Sequence, residues 1–262
     1  MGTSKVYDSP KWPGVNRVVG DAAISDNFED PKMSAAVGAF AGAFKKYLST
    51  GTSTSGSGSG ITGAGQRSSG GGTRGGGSGG TTRIRSARSG ASLAHFISTA
   101  EKRGLDAALS EYNLSDLRDK PLDEFLELVA ERLAGDGGLL DDNALNQAMA
   151  ETMNELAESV DSVDALDTLL TSGNVNIEEV LQVYFANILA ANFEQKEYSV
   201  VRDKVSRENT NDFFVSAREV IRAIVRDELS TERDLATIDW NSADGQLIAD
   251  AINREVLDIL IP

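Results

Sequence analysis

Pro121-Leu122-Asp123-Glu124-Phe125-Leu126-Glu127-Leu128-Val129-Ala130-Glu131-Arg132-Leu133-Ala134-Gly135 carries the marks of one complete helix. Pro121 suits a first turn, Leu122, Phe125, Leu126, Val129 and Leu133 recur at a 3.6-residue period, and Gly135 stands where a glycine ends a helix. The intervening Asp123, Glu124, Glu127 and Glu131 make the outer face acidic. An apolar stripe on one side of such a helix has to be buried against another element, and no stretch of the chain alternates strongly enough to supply a sheet.

The same period recurs on either side. Leu93, Phe96, Ile97 and Ala100, then Leu105, Ala108, Leu109 and Tyr112, read as two short helices around Gly104. Downstream, Leu145, Met149, Met153 and Leu156 mark a helix capped by Asp141, Asp142 or Asn143. Asn176 with Glu179 three residues on predicts the start of a helix that buries Val180, Leu181, Tyr184, Ile188 and Leu189. Two more follow, about 212–229 with Phe213, Ala217, Val220, Ile221, Ile224 and Val225 inward, and about 242–261 with Leu247, Ile248, Ala251, Ile252, Val256 and Ile259 inward. The fold class is all-α, a bundle of six to nine helices joined by short polar turns.

Upstream of this bundle the chain changes character. Fifteen of the forty residues from 51 to 90 are glycine and most others are Ser or Thr, so ordering the stretch costs backbone entropy with little to bury. Before it, Met33 to Ser49 sets Val37, Phe40, Ala41, Phe44, Tyr47 and Leu48 on one face, a helix that docks on the body or on a partner, with Gly38 and Gly42 permitting close approach. The first 32 residues show no period. The expected organisation is an extended N-terminal arm over 1–32, an amphipathic helix over 33–49, a Gly/Ser linker over 50–91 and an acidic helical domain over 92–262.

Composition narrows the chemistry. With no cysteine and a single histidine, His95, there are no disulfides, thiol nucleophiles or paired-imidazole sites. His95 reads as a helix residue that is either satisfied or exposed. Asp136 to Asp142 sets carboxylates beside glycines, but apolar Leu139 and Leu140 occupy positions where a calcium loop needs oxygen. Gly56-Ser57-Gly58-Ser59-Gly60 matches the letters of a nucleophile elbow only because the linker is made of them. No catalytic residue, metal or cofactor is expected.

Charge is split along the chain. Residues 1–93 hold 11 Lys/Arg against 5 Asp/Glu, and residues 94–262 hold 14 against 35, a body of net charge −21. Nucleic-acid binding rests on cations that displace counterions, which leaves only the linker arginines Arg67, Arg74, Arg83, Arg85 and Arg88 for such a role. They lack interleaved aromatics, and an acidic body favours a basic protein partner. The first thirty residues lack the apolar run of a signal peptide or membrane span, so the expected location is cytoplasmic without membrane contact. Val6 departs from the Ser or Thr of the myristoylation pattern that Gly2 begins. Tyr7 and Trp12 are left as aromatic anchors of the arm, for a partner's groove or for the chain's own body.

The Met1-Gly2-Thr3-Ser4 start, the linker exit through Thr82-Arg83-Ile84-Arg85-Ser86-Ala87-Arg88-Ser89-Gly90, and the stretch from Gly137-Gly138-Leu139-Leu140-Asp141-Asp142 to Ala148-Met149-Ala150-Glu151-Thr152 together resemble QatB proteins of the Qat anti-phage defence system. The resemblance implies a non-enzymatic component whose operon also encodes a P-loop ATPase, a QueC-like enzyme and a TatD-like nuclease. It further implies that Gly2, exposed by removal of Met1, accepts a deazaguanine-type acid from the QueC-like enzyme, with Thr3, Ser4, Tyr7 and Trp12 holding the arm in that enzyme's cleft. Two other readings remain open: an unmodified scaffold joining defence-complex subunits, and a nucleic-acid tether acting through the Arg/Gly linker.

Overall fold

A computed structural model describes residues 12–25, 30–49, 78–135, 140–229, 233–235 and 237–261. Among them are ten α-helices, a 3-10 turn at Ser115–Leu117 and no strand. The helices are α1 Pro13–Ala23, α2 Asp30–Ser49, α3 Ser78–Arg103, α4 Leu105–Glu111, α5 Leu122–Ala134, α6 Leu140–Leu156, α7 Val163–Thr171, α8 Ile177–Arg202, α9 Arg207–Glu228 and α10 Ala243–Ile259. The all-α bundle expected from the periodicity is the observed fold.

Helix α8 is its axis, 26 residues or about 39 Å long. Tyr184, Phe185, Ile188, Leu189 and Phe193 point in different directions around it and all are buried, because α1, α2, α3, α6, α9 and α10 surround it. Its start follows the sequence reading: the Asn176 side chain accepts from the backbone N–H of Glu178 at 2.9 Å and of Glu179 at 3.4 Å. Ser162, Ser206 and Ser242 cap α7, α9 and α10 in the same manner. Helix α5 begins after Pro121 and ends at Gly135, whose φ of 91° lies in the region open to glycine.

Several boundaries differ from the sequence reading, each for a physical reason. The arm is not extended throughout: Pro13 at the first helical position starts α1, and Val15, Val19, Ala22 and Ala23 form a buried stripe hidden by Gly14 and Gly20. The linker ends earlier than residue 91, because α3 starts at Ser78 and is continuous to Arg103. Its early buried positions are Thr82, Ser86, Ala87, Ser89 and Ala91, too small and polar to register as an apolar stripe. Ser86 Oγ donates to Thr82 O at 2.8 Å, and Ser89 Oγ meets Tyr184 Oη at 2.5 Å. Gly90 is packed so closely that an added Cβ would lie 2.8 Å from Phe185 Cζ.

Helix α2 gains three residues over the expected span and α9 begins at Arg207, five earlier than expected. Asp141, Asp142 and Asn143 fall inside the first turn of α6, which starts at Leu140. In α10 the inward stripe is Ala249, Ile252 and Val256, and Leu247, about 200° round the helix from Ala249, is 62 % exposed instead of buried.

Candidate interaction site around the N-terminal groove

Helix α2 docks on the chain's own body. Phe40 and Phe44 stack 5.7 Å apart, and Phe40 meets Phe193 of α8 edge-on at 5.0 Å. Phe193 in turn packs against Phe213 and Phe214 of α9, so one aromatic cluster joins α2, α8 and α9. Lys45 is ion-paired with Asp258, which ties α2 to α10, and Lys196 Nζ lies 5.4 Å from the centre of the Tyr47 ring.

Trp12 is the first described residue and joins this assembly at its root. Its half-buried ring meets Phe40 at 5.6 Å and Tyr47 at 6.3 Å, both edge-on. Beside it runs an apolar groove of about 810 Å³ between α1, α2 and the end of α10, lined by Trp12, Val15, Val18, Ala39, Tyr47 and Ile261, with Lys46 at its margin. Gly38 and Gly42 also line it, and a Cβ added at Gly42 would lie 4.0 Å from Ile261 Cγ1. Of the residues singled out from sequence, Trp12 is thus placed, and Gly2, Thr3, Ser4 and Tyr7 lie outside the described residues. Val15, Val18 and Ile261 were not anticipated as groove residues. The only signal for the first two was the short stripe after Pro13.

Arg83, Asp250 and His95 are in structural pairings. Arg83 grips Asp250 with two bonds, Nε to Oδ1 at 2.6 Å and Nη2 to Oδ2 at 2.8 Å, and Arg254 adds a third contact. Burial pushes the Asp250 carboxyl up, but the bonds from Arg83 and Arg254 outweigh it and hold the group below the usual carboxylate range. Arg83 is therefore committed to α10 and is not available to a nucleic acid. His95 Nε2 lies 2.6 Å from Glu111 and 2.9 Å from Asn241 Nδ2, joining α3 to α4 and to the turn before α10. Among the described residues no group of three or more His, Asp or Glu is arranged to hold a metal ion, and the carboxylate-bearing loop at 136–139 lies outside them.

Residues 75–260 match the family model described as Qat anti-phage system associated protein QatB. The match spans more than two thirds of the chain. The chain belongs to the QatB family. No curated protein matches it, and no solved structure does. The QatB span takes in α3 to α10 complete, while α1 and α2 precede it and Ile261 follows it. The groove therefore lies on the border of the QatB body, walled mainly by the two N-terminal helices. Among the described residues no helix is long and apolar enough to cross a membrane.

Proposed function

We propose that this QatB-family chain serves the Qat defence system as a protein substrate, carrying Gly2 to a QueC-like partner that joins a deazaguanine-type acid to its α-amine. The observation that carries the reading is the anchorage of Trp12 on Phe40 and Tyr47, which gives the segment before it a fixed root on the body. The ten residues from Gly2 to Lys11 reach up to about 35 Å from that root, far enough to enter a partner's cleft. Thr3, Ser4 and Tyr7, with the exposed edge of Trp12, meet the walls of that cleft.

The chemistry favours an N-terminal amine. With an α-amino pKa near 8 against about 10.4 for lysine, about a fifth of such amines are uncharged at pH 7.4, against about a thousandth of lysines. In the transfer the amine attacks the acyl carbon of an adenylated acid made from ATP by the partner. The C–N amide bond forms, the acyl–oxygen bond to phosphate breaks, AMP leaves and the amine gives up a proton. The acidic body, net −21 over residues 94–262, offers a surface to basic regions of the defence-operon partners, the P-loop ATPase and the TatD-like nuclease among them. The test is the intact mass of the protein made with and without its neighbouring genes. An adduct present only in the co-expressed sample supports the reading, and identical masses in both refute it.

A further inference from the structure

The groove beside Trp12 has four stretches of chain near it, the segment before Trp12, the connection at 26–29, the tether after Ser49 and the last residue, Pro262, of which the connection is pinned at both ends by α1 and α2. Their composition separates them. Among residues 50–77 the apolar side chains are Ile61 and Ala64 alone, whereas Val6, Tyr7 and Pro10 cluster just before the groove wall. Asp8 is the one acidic residue of the first eleven, and Lys46 stands at the groove margin.

We propose that this groove is the resting seat of the chain's own residues 1–11, filled by the side chains of Val6 and Tyr7. Five residue steps lead from Tyr7 to Trp12, a reach of up to about 17 Å, and the stretch of α2 from Ala35 to Tyr47 that lines the groove is about 18 Å long. A volume of about 810 Å³ accommodates a phenol and an isopropyl group together. A tether this short holds the segment at an effective concentration in the millimolar range, so a weak apolar contact is enough to keep it seated. The seat stands without the Gly2 reading. Combined with that reading, it means Tyr7 is shared between the chain's own groove and the partner enzyme, so the amine is presented only from the unseated fraction.

The absence of native cysteine makes the test clean. In the chain with Val6 and Tyr7 kept, the pair Lys5→Cys with Ala39→Cys is compared under mild oxidant with Lys5→Cys with Arg17→Cys. Arg17 is exposed on α1 and equally within the leash, but outside the groove. Circular dichroism confirms that both pairs keep the helical fold. The seat predicts an intramolecular disulfide in the first pair, forming at least tenfold faster than in the control. Equal rates would overturn it, and a disulfide joining two molecules would assign the groove to a second copy instead. Either failure leaves the Gly2 reading intact, since that is decided by mass and not by cross-linking.

Discussion

Glu197 is 2 % exposed on α8, its Oε2 has no hydrogen-bond partner, and burial raises its carboxyl to about 7. Because the folded-state value lies above the unfolded one, the folded chain holds this proton more tightly. The group's contribution is complete below the ordinary carboxylate range and is lost as pH rises through about 7. Glu197→Gln keeps the shape without the charge, so the variant should match the parent near pH 3 and exceed it by about 1 kcal/mol at pH 8 in urea unfolding. A variant less stable than the parent at pH 8 would show that the carboxylate is satisfied there. Gly90 gives a second residue-scale expectation: Gly90→Ala drives a methyl into Phe185, itself fully buried, and should cost about 1–3 kcal/mol with a lowered Tm. Neither site shows in the sequence, where Glu197 lies among mixed charges beside Lys196 and Gly90 among the linker glycines.

At the scale of elements, α6, α8 and α9 are joined by polar groups as well as by packing. Asn187 is fully buried, with Nδ2 donating to Thr152 Oγ1 at 3.1 Å and Glu155 Oε1 at 3.0 Å, while its Oδ1 accepts two bonds from Arg222. Asn187→Ala strands partners on both neighbouring helices and should cost about 2–3 kcal/mol, measured by thermal unfolding. Helix α2 is held differently, by Phe40 and Phe44 across the bundle. Phe40→Ala should weaken that docking by about 3–5 kcal/mol. After cleavage in the tether, gel filtration should show residues 1–49 leaving the body in the variant and staying with it in the parent. The helices legible in the sequence, α5, α8 and α10, owe this to large apolar residues at regular spacing and, in α8 and α10, to capping side chains. Helix α1 is hard to read because its short Val/Ala stripe is interrupted by Gly14 and Gly20, and the first half of α3 because glycine, serine, threonine and alanine occupy its buried positions. Those residues read as linker, although Ser86 and Ser89 bond back to their own helix.

For the whole molecule, the split in charge and the QatB match divide the chain at nearly the same place. The acidic α3–α10 body is the family's, and the N-terminal helices are held on it by a long Gly/Ser tether. All-α architecture could be read from periodicity alone, whereas the groove could not, since it is assembled from α1, α2 and Ile261, more than two hundred residues apart. The proposed acceptor and its neighbours Thr3, Ser4 and Tyr7 enter only through the family resemblance, because no periodicity or spacing marks an amine as reactive. The most direct measurement is peptide-level mass spectrometry of the N-terminus, on protein made with its operon neighbours intact and with the QueC-like gene removed. The account predicts a mass addition confined to Gly2 that disappears with that gene. An unmodified Gly2 in both samples, or an adduct placed on a lysine, would contradict it.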